Sequence, residues 1–164
     1  MNNIRIAHIS DLERITEIYN QAITSKFETA DTTEFEANDR LDWFNSHPQD
    51  NYPIFVCELN GIVVGWISVS PYRTGRKALR YTAEISCYIH SDFKHIGIGR
   101  ELTEYVIDNC KALNLKTLFA IILDKNTASI KLLKKLGFEE WGHLPNVADF
   151  DGEECGHLYY GRRI

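Results

Sequence analysis

Two features of the sequence could do chemistry. The first is Lys94-His95-Ile96-Gly97-Ile98-Gly99-Arg100, two glycines one residue apart between a strand-like run and an amphipathic segment. Glycines there leave no Cβ to block close approach. A helix starting at such a loop presents unpaired N–H groups and the positive end of its dipole, which suits the phosphates of a bound ligand. The second is Glu84, a carboxylate in the middle of the apolar run Tyr81–Ile89. A charge in that setting is costly unless paired or used. Partial burial raises a carboxyl pKa toward neutrality and makes it a proton acceptor. The plainer alternatives stay open: Glu84 on an exposed strand face or paired with Arg80, and a Gly-x-Gly that is only a tight turn.

Two familiar phosphate loops are excluded. No Gly-Lys-Ser/Thr follows, as a Walker loop requires, and no third glycine follows Gly99 at dinucleotide-binding spacing.

The surrounding elements must hold these residues. Ile4–Ala7 alternates as a first strand, and Ser10 with Glu13 predicts a capping box opening a helix through Leu12, Ile15, Ile18, Tyr19 and Ala22. Thr33–Glu36 predicts the cap of a second helix ending before Pro48. Asn60-Gly61 between Ile54–Leu59 and Ile62–Val69 is a hairpin signal, because both turn positions need positive φ. Tyr81–Ile89 is the next strand, and the glycine loop opens a helix carrying Leu102, Val106 and Cys110. Thr117–Leu123 is apolar enough for a strand buried on both sides. Asn126–Leu136 is a short helix stopped by Gly137. Phe138–Gly142 and Gly156–Arg162 are expected strands, with Leu144–Gly152 a loop between them. The order β-α-α-β-β-β-α-β-α-β-β predicts one α/β domain over residues 1–164, a mixed sheet with flanking helices.

Composition narrows the function. Eighteen basic against 23 acidic residues, net −5, gives no footprint for nucleic acid. No apolar run reaches the ~18–20 residues of a membrane helix. The first residues have no export-signal core, so a cytoplasmic protein is expected. Cys57, Cys87, Cys110 and Cys155 form no CxxC pair and the six histidines no ligand spacing, which predicts free thiols and no metal.

The combination of Lys94-x-x-Gly97-x-Gly99 with Asn126, Ser129, Leu132, Lys135, Gly137 and Phe138 one strand later resembles the GNAT superfamily of N-acetyltransferases. The matching order of elements runs from Ile4 to Arg162. Tyr81–Ile89, Ile18-Tyr19-Asn20, Thr29-Ala30-Asp31-Thr32 and the tail from Gly137 to Arg162 are similar to phosphinothricin acetyltransferase-like members. The resemblance implies a mostly antiparallel sheet with splayed strands, a homodimer, and acetyl-CoA as donor. By family position the cofactor would lie on Cys87, Tyr88 and Ile89, on Lys94, His95, Ile96, Gly97, Ile98, Gly99 and Arg100, and on Asn126, which could equally be a helix N-cap. Glu84 would be the general base. The acceptor would be a small amino-acid-like amine, walled by Phe27 and Thr29, with Arg73, Arg76 or Arg80 (otherwise a solvated loop, with Lys77) gripping an anionic group.

Direct transfer is expected, with Cys87 a small strand residue and no acyl-cysteine. Two positions depart from the pattern: Lys94 replaces the usual Arg or Gln, and Leu133 stands where a Tyr or His general acid is common. Tyr159 and Tyr160 are the remaining phenols for that role, or ordinary strand aromatics. A CoA thiolate, of thiol pKa about 8.5, leaves without a strong acid. Other amine acceptors (polyamine, aminoglycoside, protein) and a non-catalytic acyl-CoA-binding module are the rival functions.

Overall fold

The computed structural model describes residues 2–164. Seven strands form one sheet in the order β1-β2-β3-β4-β5-β7-β6, where β1 is Asn3–Ile6, β2 Ile54–Leu59, β3 Ile62–Pro71, β4 Thr82–Ile89, β5 Thr117–Leu123, β6 Glu139–Phe150 and β7 Glu153–Arg163. All neighbouring pairs are antiparallel except β4 with β5. Among the described residues the α-helices are α1 (Leu12–Ser25), α2 (Leu41–Asn45), α3 (Ile98–Asn109) and α4 (Thr127–Lys135). The predicted order of strands and helices is the observed one.

The period-2 pattern of the strands divides the core in two. Phe55, Ile67, Val69, Ala83, Ile85 and Leu118 face Leu102 and Val106 of α3 and Leu133 of α4. On the other face Val56, Val63 and Trp66 pack against Ile15 and Ile18 of α1. The Trp66 indole N–H donates to the Ile15 carbonyl at 3.1 Å, so the large ring is buried without an orphaned donor. Asn60 (φ 54°) and Gly61 (φ 78°) make the predicted two-residue turn.

Three expectations are corrected. Ser10 does not cap α1. A 3₁₀ turn, Ile9–Asp11, precedes the helix, and the Asp11 carboxylate accepts from the His8 amide at 2.8 Å while pairing with Arg5 at 2.7 Å. A carboxylate tied to a cation outcompetes a hydroxyl for that place. Residues 144–152 are not a loop: β6 runs to Phe150, with its register against β7 shifted between Glu140 and Gly142 and again between Leu144 and Ala148. Pro145, with no N–H, and Asn146, at φ 52°, make a bulge at the second shift, and the true turn is Asp151-Gly152. Finally, β5 is closed on both faces only in part, because Phe119, Ile121 and Ile122 remain half-buried.

Beside the bulge, a Cβ on Gly156 would lie 2.5 Å from His143 Nε2, 2.6 Å from Asp124 Oδ2 and 2.7 Å from the Leu144 carbonyl oxygen. Gly156→Ala is therefore expected to destabilise the fold by about 1–3 kcal/mol in urea unfolding, since backbone as well as side chains must move.

Candidate functional site

The site begins where the sheet comes apart. The β4–β5 ladder holds at Thr82–Thr117, Ala83–Leu118 and Glu84–Phe119, and then ends although both strands continue. The phase of the neighbouring ladder fixes what is exposed there. Tyr72 N–H donates to Thr82 O, and His90 N–H donates to Val64 O. Even-numbered residues of β4 thus spend their backbone groups on β3, and Ile85, Cys87 and Ile89 turn theirs toward the open gap. An amide-rich extended ligand can pair with that edge as an added strand. Of the three expected contacts, Cys87 and Ile89 present backbone to the gap. Tyr88 presents its ring to the opposite face and packs against Tyr19 and Trp66.

At the end of β4 the chain makes a 3₁₀ turn, Ser91–Phe93, and enters the glycine loop with His95 at φ 67° and Gly97 at φ 101°. Among the described residues, no backbone amide from His95 to Arg100 donates to a chain oxygen. The helical ladder starts only with Glu101 N–H to Gly97 O at 3.0 Å. A run of unpaired amides at the N-terminus of a twelve-residue helix has the geometry to accept hydrogen-bonding anions such as phosphate oxygens. Gly99 packs closely enough that a Cβ would sit 3.4 Å from Leu132 of α4 and 3.7 Å from Ile89. Lys94 does not point into solvent: its Nζ lies 2.6 Å from Glu28 Oε1, so an ion pair ties the loop to the segment following α1.

Asn126 fulfils the capping role and leaves half its amide over. Its Oδ1 accepts from the Ser129 amide at 3.2 Å, and its Nδ2 has no partner among the described residues. Asn126→Ser is expected to keep the melting temperature near wild type, because serine also caps. It should raise the KM for acetyl-CoA several-fold through loss of the amide donor. Asn126→Ala should lose about 1 kcal/mol of stability in addition. Leu133 is a core residue, 5% exposed, so no general acid stands at that position.

On the α1 face of the gap lies a cleft of about 290 Å³ lined by Tyr19, Glu28, Thr29, Asp31, Glu84, Ser86, Tyr88, Ile121 and His157, among others. Glu84 is half-buried, and burial holds its carboxyl above the usual carboxylate range. No cation pairs with it among the described residues, so neither Arg80 nor any other base neutralises it. Tyr19 donates to Asp31 and shares a 2.8 Å hydrogen bond with Thr29, and its phenol is pushed up to about 12, by burial first and by Asp31 next. A wider, open groove between α1 and residues 34–37 shares none of these residues.

Other expected site residues lie elsewhere. Phe27 packs edge-on against Phe150, 5.1 Å between centroids, and lies outside the cleft. Arg73, Arg76 and Arg80 are exposed on the connection between β3 and β4 and do not line it. Arg80 folds back on its own turn, donating to the Lys77 carbonyl at 2.8 Å. Tyr159 packs on Phe119, and Tyr160 is buried with its hydroxyl directed to Glu140 at 3.3 Å. The Cys87 thiol is pushed up to about 12 by burial, so it stays protonated and unreactive at neutral pH. All four cysteines are free. The sequence reading assigned no role to Tyr19, Asp31, Ser86 or His157. The segments Ile18–Asn20 and Thr29–Thr32 pointed to the first two, whereas only strand register brings in the others.

A strand edge left open beside a loop of unpaired amides, with a partly buried carboxylate where the strands part, is an arrangement that suits a CoA-dependent acyltransferase. Comparison with known proteins agrees. A family model described as an acetyltransferase (GNAT) domain matches residues 3–139. The chain is 37% identical over 162 residues to YwnH of Bacillus subtilis (strain 168), covering 98% of each. It is 34% identical over 144 residues to the L-methionine sulfoximine/L-methionine sulfone acetyltransferase of Salmonella typhimurium, covering 88% of this chain and 84% of that one. The crystal structure of a GNAT superfamily phosphinothricin acetyltransferase from Sinorhizobium meliloti in complex with acetyl-CoA superposes with a TM-score of 0.92 at 27% identity. That match covers 99% of this chain and 88% of that one. The protein belongs to the GNAT acetyltransferase family. It is an N-acetyltransferase with acetyl-CoA as donor.

Proposed function

We propose that the protein acetylates the α-amine of a small amino-acid-like acceptor of the methionine sulfone, methionine sulfoximine or phosphinothricin type. The names of its relatives support that acceptor class. The observation carrying the mechanism is the position of Glu84, at the last rung before the strands part, half-buried and without a counter-ion. Acetyl-CoA supplies an acyl thioester. Its diphosphate would rest on the amides of His95 to Arg100, its pantetheine along Ile85, Cys87 and Ile89, and Asn126 Nδ2 would reach the same arm. Glu84 takes a proton from the acceptor ammonium, directly or through water, so that the nitrogen lone pair can attack. The Cys87 N–H, facing the gap, stabilises the charge that develops on the acetyl oxygen. The thiolate leaves without a phenol or imidazole at Leu133.

Acidic lining of the cleft by Glu28, Asp31 and Glu84 favours a second reading, a polycationic acceptor. Glu28 is neutralised by Lys94 and Asp31 is held by Tyr19, which leaves Glu84 for one ammonium group. A thiol-release screen over amino acids, their sulfone and phosphinate analogues, and polyamines decides between the two. Fastest turnover with the sulfones supports the proposal, and fastest turnover with polyamines refutes it. A cytoplasmic homodimer belongs to the same proposal. Among the described residues no helix is long and apolar enough to cross a membrane, and sedimentation at assay concentration tests the dimer.

A further inference from the structure

We infer that His157 selects the acceptor by donating a hydrogen bond to a terminal oxygen of its side chain. This inference rests on the acceptor class proposed above. It starts from register. Residues paired across a sheet share a face, as do residues two apart along a strand. Glu84 is opposite Phe119 and His157 is opposite Leu123, four residues further along β5. Glu84 and His157 therefore stand on one face, with Ile121 between them, and both line the same cleft.

The chemistry of the two ends differs. Glu84 accepts hydrogen bonds and would hold the ammonium. His157 is half-buried, and its ring makes no hydrogen bond or ion pair among the described residues. Either tautomer leaves one ring N–H to donate, and no lysine or arginine lines the cleft to compete for an oxygen. At ~3.3 Å per residue along β5 and ~4.8 Å between strands, the two Cα positions are at least about 16 Å apart, since β4 and β7 lie on either side of β5. The two side chains, a chain of five bonds from amine nitrogen to sulfone oxygen and one hydrogen bond at each end together can span that distance. Methionine itself offers only a thioether there, a poor acceptor that would leave the donor unanswered.

The test compares L-methionine sulfone with L-methionine, which share amine, carboxylate and chain length. Wild-type enzyme is expected to favour the sulfone by roughly 10- to 100-fold in kcat/KM, the range of a hydrogen bond in a discriminating site. His157→Phe should remove most of that preference by raising the KM for the sulfone, with kcat and the KM for methionine little changed. His157→Gln, which keeps a donor, should retain part of it. Calorimetry with acetyl-CoA checks that each variant is folded, and if His157→Phe fails to bind it, the ratio is taken from His157→Gln. A preference undiminished in the folded variants, or equal rates of the wild type on both acceptors, overturns the inference. Wild-type enzyme that acetylates neither overturns the acceptor class itself.

Discussion

Glu84→Gln is expected to lower kcat/KM for the acceptor by about 10²–10⁴-fold, the usual worth of a positioned general base, while acetyl-CoA binds as before. Glutamine matches the shape of the side chain and cannot take the proton. The acid limb of the wild-type pH profile should lie above the ordinary carboxylate value of 4.5, because burial raises the Glu84 pKa, and the variant should lose that limb. Stability moves the other way. The folded-state pKa lies above the unfolded one, so in the window between them the native state binds more protons, and stability falls as pH rises through it. Above that window wild type carries a desolvated charge with no partner, and Glu84→Gln should there unfold at an equal or higher temperature. A slow enzyme that is no less stable is the signature of a functional carboxylate. Kinetics and a thermal melt on the same preparation provide both readings, and near-normal turnover removes Glu84 from the mechanism.

The second large effect is expected at Gly97. Its φ of 101° is a conformation that β-branched residues avoid at a cost of about 1–3 kcal/mol, although a Cβ there would meet nothing nearer than Glu101 Oε1 at 3.9 Å. Gly97→Val should therefore displace the loop rather than crowd it, breaking the alignment of the amides from His95 to Arg100. Roughly 10- to 100-fold weaker acetyl-CoA binding by calorimetry should follow, with a smaller change in kcat at saturating donor. Gly75 supplies the control: it has φ 80°, free space around it, and a position on the β3–β4 connection. Gly75→Val imposes comparable backbone strain and should leave acetyl-CoA affinity unchanged. Equal losses in both variants would mean that the loop amides are not the binding determinant.

Much of this architecture is legible in the sequence because local signals agree with the fold. Asn60-Gly61 and the Gly137 stop each sit where their φ requires, and the apolar runs flanking Asn60-Gly61 are the largely buried strands β2 and β3. Glu84 stands out for the opposite reason, as a charge that contradicts its apolar strand. What was hidden depended on distant partners. Arg5 on β1 takes Asp11 and thereby moves the start of α1 away from Ser10. Pro145 and Asn146 carry the residue types of a loop, yet pairing along β7 makes them a bulge. The cluster of Arg73, Arg76 and Arg80, near Glu84 in sequence, does not line the cleft that holds Glu84, whereas His157 joins that cleft from 73 positions away through the β5–β7 register.

The central physical claim is that unpaired amides at the start of α3 and the open edge of β4 together hold the donor. A crystal structure of the protein with acetyl-CoA tests it most directly. The expected result is a diphosphate within hydrogen-bonding distance of backbone nitrogens between His95 and Arg100, with the pantetheine bonded to the main chain at Cys87. A nucleotide bound elsewhere, with those nitrogens satisfied by the chain itself, would contradict it.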